Sequence, residues 1–182
     1  MVPFQVWLEG TLRSATAVGA LMKDEWSWPI AESIHFVGLT LLFGSIVAWD
    51  LRLLGVARQV PIAAFHRLIP FAVLGFATNA ASGSFFLMAY PDQYVYNPAF
   101  HLKMFCVLLA GVNVALFYLT VFRRVSILGP GAHGPLVARL SGGISLVLWT
   151  VVIIAGRMIT FYRPTLCRPG EVIGFLASCT VR

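Results

Sequence analysis

Five ionisable side chains stand inside or at the edge of long apolar runs: Glu32 and His35 in "WPIAESIHFVGL", His101 and Lys103 in "NPAFHLKMF", and Arg157 in "IIAGRM". A charged group at the centre of a membrane helix costs about 2.5–3.5 kcal/mol on insertion scales, so residues of this kind point to function. An imidazole carries protons or ligates metals. Glu32 and His35 are three residues apart, on one helix face, and could share copper or another divalent metal ion, with His101 as a further ligand. His35 and His101, one on each of two apolar runs at matched depth, also suit bis-imidazole ligation of haem b. Phe36, Phe100, Met104 and Phe105 offer apolar walls, and Arg157 or Lys103 would receive a propionate through charge-assisted hydrogen bonds. Plainer roles compete with each of these. Glu32 near a helix N-terminus is favoured by the dipole, Lys103 can snorkel, and His101 can lie at the interface.

The elements that carry these residues are membrane spans. Of 182 residues, 59% are apolar and 11% charged, too little charge for a soluble surface. Four runs approach the roughly 20 apolar residues that a crossing needs, at about 29–50, 65–89, 98–122 and 138–162. Pro29 falls in the first turn of the first run, and Pro70 should kink the second near its start. Asn97 and Pro98 read as the N-cap and first residue of the third. Short connections imply antiparallel neighbours, and so an all-α integral membrane four-helix bundle forming a single domain with the lipid bilayer as its partner. On that frame His35 lies six residues into the first span, about 9 Å below its boundary at 1.5 Å per residue. The net charge of +6 comes without a basic patch interleaved with aromatics, which excludes nucleic acid as a partner.

The connections at 51–67 and 123–139 carry Arg52, Arg58, Arg67, Arg123, Arg124 and Arg139, whereas 90–97 carries only Asp92. The positive-inside rule puts the arginine-rich loops in the cytoplasm and both termini in the periplasm of a bacterial inner membrane. Residues 3–22 lack the basic start of a signal peptide, and Phe4, Trp7, Leu8, Leu12 and Ala15 recur at helical spacing. A short amphipathic helix in the interface is expected there. In the outer tail, 163–182, Cys167 and Cys179 are candidates for a disulfide in an oxidising compartment. Cys106 should only pack.

Asn79 and Asn113 lie deep in the second and third spans. An amide in hydrocarbon seeks a partner on another helix, and the small residues around these two (Gly75, Ser82, Gly83, Gly111, with Gly142 and Gly143 opposite) favour interhelical bonding. The alternative is a polar lining for a small ligand or a quinone headgroup. Asp50 and Arg52 should pair locally or with Arg123 and Arg124. His66 and His133 read as solvated or interfacial.

The blocks "ESIHFVGL…DLRLLG", "FAVLGFATNAASG" and "NPAFHLKMFCVLLAGVNVALF" resemble an uncharacterised family of small bacterial four-helix inner-membrane proteins, over about residues 4–125. The block with Glu32, His35, Asp50 and Arg52 is the most specific. More loosely, a histidine near the end of the first span followed by a glycine-containing apolar run looks like CopD-type copper-resistance proteins and haem-linked protoporphyrinogen oxidases. These resemblances imply copper or haem handling. The expected function is a b-type haem electron-transfer or redox subunit, with a quinone or other redox membrane subunits as partners. The alternatives are a metal-ion or small-ligand transport component, or a noncatalytic membrane scaffold, and the oligomeric state is left open.

Overall fold

The computed structural model describes residues 7, 8, 10–12, 21 and 24–161. Four of its helices are long and apolar enough to cross a membrane. The chain runs α1 (Ser27–Leu54), α2 (Ile62–His66), α3 (Ile69–Ala89), α4 (Pro91–Val95), α5 (Pro98–Thr120), α6 (Phe122–Ser126) and α7 (Leu136–Met158). Residues 7, 8, 10–12 and 21 are helical, as the amphipathic pattern suggests. The rest of 3–22, and Cys167 and Cys179 in the tail, lie outside the described residues.

Helix ends follow local chemistry. Asn97 caps α5 through Oδ1, which accepts from the N–H groups of Ala99 (3.0 Å) and Phe100 (3.4 Å). α1 stops at Gly55, whose φ of +103° is open to glycine; Gly55 N–H reaches Arg52 O and Val56 N–H reaches Leu51 O, a Schellman closure. The second span does not kink inside a continuous helix at Pro70. It breaks at Arg67–Leu68, and Pro70 sits in the first turn of α3, where its missing N–H costs nothing.

α1 is the central element. It packs against α3 on one side and α7 on the other, and α7 packs in turn against α5. The closest approach is at Gly75: a Cβ there would lie 2.5 Å from Leu42 N and 2.6 Å from Gly38 O, so only glycine lets α1 and α3 touch backbone to backbone. Of the small residues noted in the sequence, Gly75 and Gly142 are buried at crossings, while Gly111 faces open space. The core runs through Leu42, Ala72, Cys106, Ala110, Trp149 and Val152, with Cys106 packing as expected.

α3 and α5 make no extended contact with each other. They are joined at the arginine-rich end, where His66 Nε2 and Tyr118 Oη are 3.1 Å apart and both rings pack on Phe122. Beyond that junction the chain links the far ends of α3 and α5 through α4.

Candidate functional site

The site is built on Ser82, a residue that α3 presents to α1. The Ser82 hydroxyl donates to Thr78 O at 2.7 Å, the usual bond of a helical serine to the preceding turn. A hydroxyl has one proton, so the oxygen can only accept from His35 Nδ1, 2.8 Å away. That fixes the proton of a neutral imidazole on Nδ1 and leaves Nε2 with a lone pair. Phe86 holds the ring edge-on, with centroids 5.7 Å apart, and Trp28 packs on Phe86 in turn. His35 is half-buried.

Lys103 approaches from α5. Its Nζ lies 3.6 Å from where a Gly156 Cβ would sit on α7, so the ammonium is folded into the bundle rather than snorkelling. It is near enough to His35 for its charge to act on the ring. Among the described residues no carboxylate pairs with Lys103. A neutral imidazole on α1 and a cation on α5 that no described carboxylate neutralises therefore lie within electrostatic reach of each other.

The other candidates separate. Glu32 is exposed, and its charge acts on Tyr94 in α4. The Tyr94 phenol is pushed up to about 12, chiefly by burial and secondly by Glu32. His101 is exposed and donates from Nε2 to Val95 O at 2.8 Å, tying α5 to α4. A bis-imidazole clamp through that nitrogen would require the bond to break. No group of three or more His, Cys, Asp or Glu among the described residues comes together to hold a metal ion. Arg157 is exposed, its guanidinium carbon 6.0 Å from the Phe161 ring centroid. Asn79 donates to Gly75 O within its own helix at 3.0 Å. Asn113 and Ser141 bond reciprocally between α5 and α7, each at 3.1 Å.

At the arginine-rich end the expected Asp50–Arg52 pairing does not form. Arg52, 2% exposed, donates to Val60 O (2.8 Å) and Arg58 O (3.3 Å) and so fastens the loop after α1. Asp50, 3% exposed, faces α7 with Ser145 as its hydrogen-bonding neighbour, and its Oδ2 has no partner among the described residues. Two residues on a helix differ in direction by about 200° at i, i+2, which is why the acid and the base diverge. His66 is held among aromatics rather than solvated, whereas His133 is exposed and accepts from Arg58 Nη1 at 2.9 Å.

The family model for DUF6644, a family of unknown function, matches residues 26–162. The chain belongs to that family. The DUF6644 match runs through the fourth span, beyond the 4–125 block where the resemblance was read, and it starts after the N-terminal segment. It bears out an uncharacterised family and brings no likeness to copper-resistance proteins or protoporphyrinogen oxidases. No curated protein and no solved structure matches the chain. Sequence reading of this DUF6644 member singled out His35 and Lys103 but missed Ser82 as the group that orients the ring. The available signal was an i, i+4 pair of hydroxyl residues, Thr78 and Ser82, in a run of small residues.

Proposed function

We propose that this protein binds the polar head of a small lipid-soluble ligand, a quinol or another compound with a weakly acidic hydroxyl, between His35 and Lys103. One observation carries the reading: Ser82 fixes the His35 proton on Nδ1 and leaves a lone pair on Nε2, while Lys103, whose charge reaches the ring, is neutralised by no carboxylate among the described residues. A ligand hydroxyl would donate to Nε2, and a second oxygen of the same ligand would accept from Lys103. A free metal ion suits the site less, because Lys103 repels a second cation. The lack of extended contact between α3 and α5 supports entry from the bilayer between them. By the positive-inside rule the arginine-rich end is cytoplasmic, which assigns His35 to the periplasmic half of a bacterial inner membrane.

The test is titration of the nanodisc-embedded protein with a short-tailed benzoquinone and its quinol, read by calorimetry. Saturable binding of the quinol is expected, weakened at least about tenfold in Lys103→Met, which loses a charge-assisted hydrogen bond of about 1.5–3 kcal/mol, and about three- to tenfold in His35→Ala, which loses a neutral one of about 0.5–1.5 kcal/mol. Equal affinity in wild type and His35→Ala overturns the proposal. Haem b is the second reading, favoured by the same Nε2 lone pair and by Lys103 as a propionate partner. The visible spectrum of protein from haem-replete cells decides it: a Soret band lost in His35→Ala supports haem, and no Soret band ends it.

A further inference from the structure

A groove of about 570 Å³ runs along the opposite half of the molecule, between the end of α1 and the first half of α7. Leu54, Leu136, Leu140, Gly143, Ile144, Val147 and Leu148 line it, and Arg139 is the one charged lining residue. Leu136, Leu140, Ile144 and Val147 are each more than half exposed, as lipid-facing side chains are. Gly143 makes its floor, with Leu54 Cδ2 3.9 Å from where a Cβ would stand.

Length and charge point to one occupant. From Arg139 to Leu148 the groove follows nine helical rises, about 13–14 Å at 1.5 Å each. That is close to half of a hydrocarbon core of about 30 Å, the depth of one leaflet and the reach of one acyl chain. Arg139 lies in the first turn of α7, at the end of the groove where a headgroup would sit. The surrounding surface is strongly positive: Arg58, Arg67, Arg123 and Arg124 are exposed at the same end. Of the seven acids in the chain, Asp50 is the one between residues 33 and 91, Glu171 the one after Asp92, and Asp50 is buried toward α7. Basic pockets beside membrane helices attract anionic headgroups in this way.

We propose that this groove holds one acyl chain of an anionic phospholipid whose phosphate is bound by Arg139. The site is separate from the His35 cluster and does not depend on the reading given for it. Arg139 takes the phosphate by charge-assisted hydrogen bonds, and the apolar stripe of α7 with Leu54 takes the chain.

Native mass spectrometry of the protein released from membranes of phosphatidylglycerol and phosphatidylethanolamine tests this. Wild type should retain one phosphatidylglycerol in preference. Arg139→Gln should lower that preference about fivefold, the weight of one arginine at a membrane surface. Gly143→Leu, which fills the groove floor, should abolish retention of the lipid, with thermal unfolding unchanged as the check on folding. Arg123→Gln, off the groove, should retain lipid as wild type does. Equal retention of the two lipids by wild type overturns the proposal, as does an equal loss in Arg123→Gln, which would mean diffuse surface charge. A dimer that Gly143→Leu dissociates would assign the groove to a second copy and overturn it as well.

Discussion

The two ends of the bundle carry similar polar side chains in opposite conditions. At the arginine-rich end, Arg52 fastens two loop carbonyls, Arg58 bonds Gly55 O and His133, and His66 bonds Tyr118 among aromatic rings. These groups hold the connections between spans, with Asp50 Oδ2 as the exception. At the other end, among the described residues, His35 has a bond at one nitrogen and none at the other, and Lys103 is folded inward without a carboxylate. A polar group in a membrane protein is retained when it is bonded within the fold or when a ligand answers it. The first end shows the former, and the second is where a ligand is expected.

The largest effect that would test this contrast is at Arg52. Arg52→Ala removes two bonds from a charged, buried donor and should lower stability by about 2–4 kcal/mol in a detergent unfolding assay. An unchanged unfolding midpoint would remove the structural role assigned to that end. Next is Gly75→Ala, which drives a Cβ into the backbone of α1 and should cost about 1–3 kcal/mol in the same assay. Tolerance of alanine there would mean that α1 and α3 pack less closely than described.

His35→Ala sharpens the comparison from the other side. It loses one neutral hydrogen bond, so stability should fall by about 1 kcal/mol or less while ligand binding weakens. Ser82→Ala should spare most of the stability too, yet weaken binding, because the ring is no longer held in one tautomer. If Ser82→Ala binds ligand as wild type does, the orienting role of Ser82 is wrong. The smallest effect concerns Tyr94, whose phenol is pushed up to about 12 by burial and by Glu32. The folded state holds this proton more tightly than the unfolded chain. Its contribution to stability is therefore full below about pH 10, the ordinary tyrosine value, and is lost as pH rises from there through about 12. Spectrophotometric titration should show Tyr94 ionising late in wild type and earlier in Glu32→Gln.

Much of this was legible in the order of residues. Apolar runs defined four crossings within a few residues of their ends, because hydrocarbon thickness and internal backbone bonding leave helices few alternatives. The Asn97–Pro98 cap was readable because capping is local. His35 and Lys103 stood out because an ionisable group in an apolar run is costly wherever it points. Other expectations depended on facing direction. Adjacency in sequence suggested an Asp50–Arg52 pair, but a rotation of about 100° per residue sends the two to different neighbours. Asn97 was visible as a cap but not as the residue whose Nδ2 also ties α5 to Ile159 O, 62 positions away.

The sequence by itself determined that this chain has four helices long and apolar enough to cross a membrane, where the third of them is capped, and which side chains are costly to keep in it. Those properties depend on composition and on contacts within a turn or two. The tertiary structure alone decided that α1 is central, that α3 and α5 make no extended contact, and that Ser82 of α3 bonds His35 of α1. Each depends on the rotation and crossing of separate helices, which small residues such as Gly75 permit but do not specify.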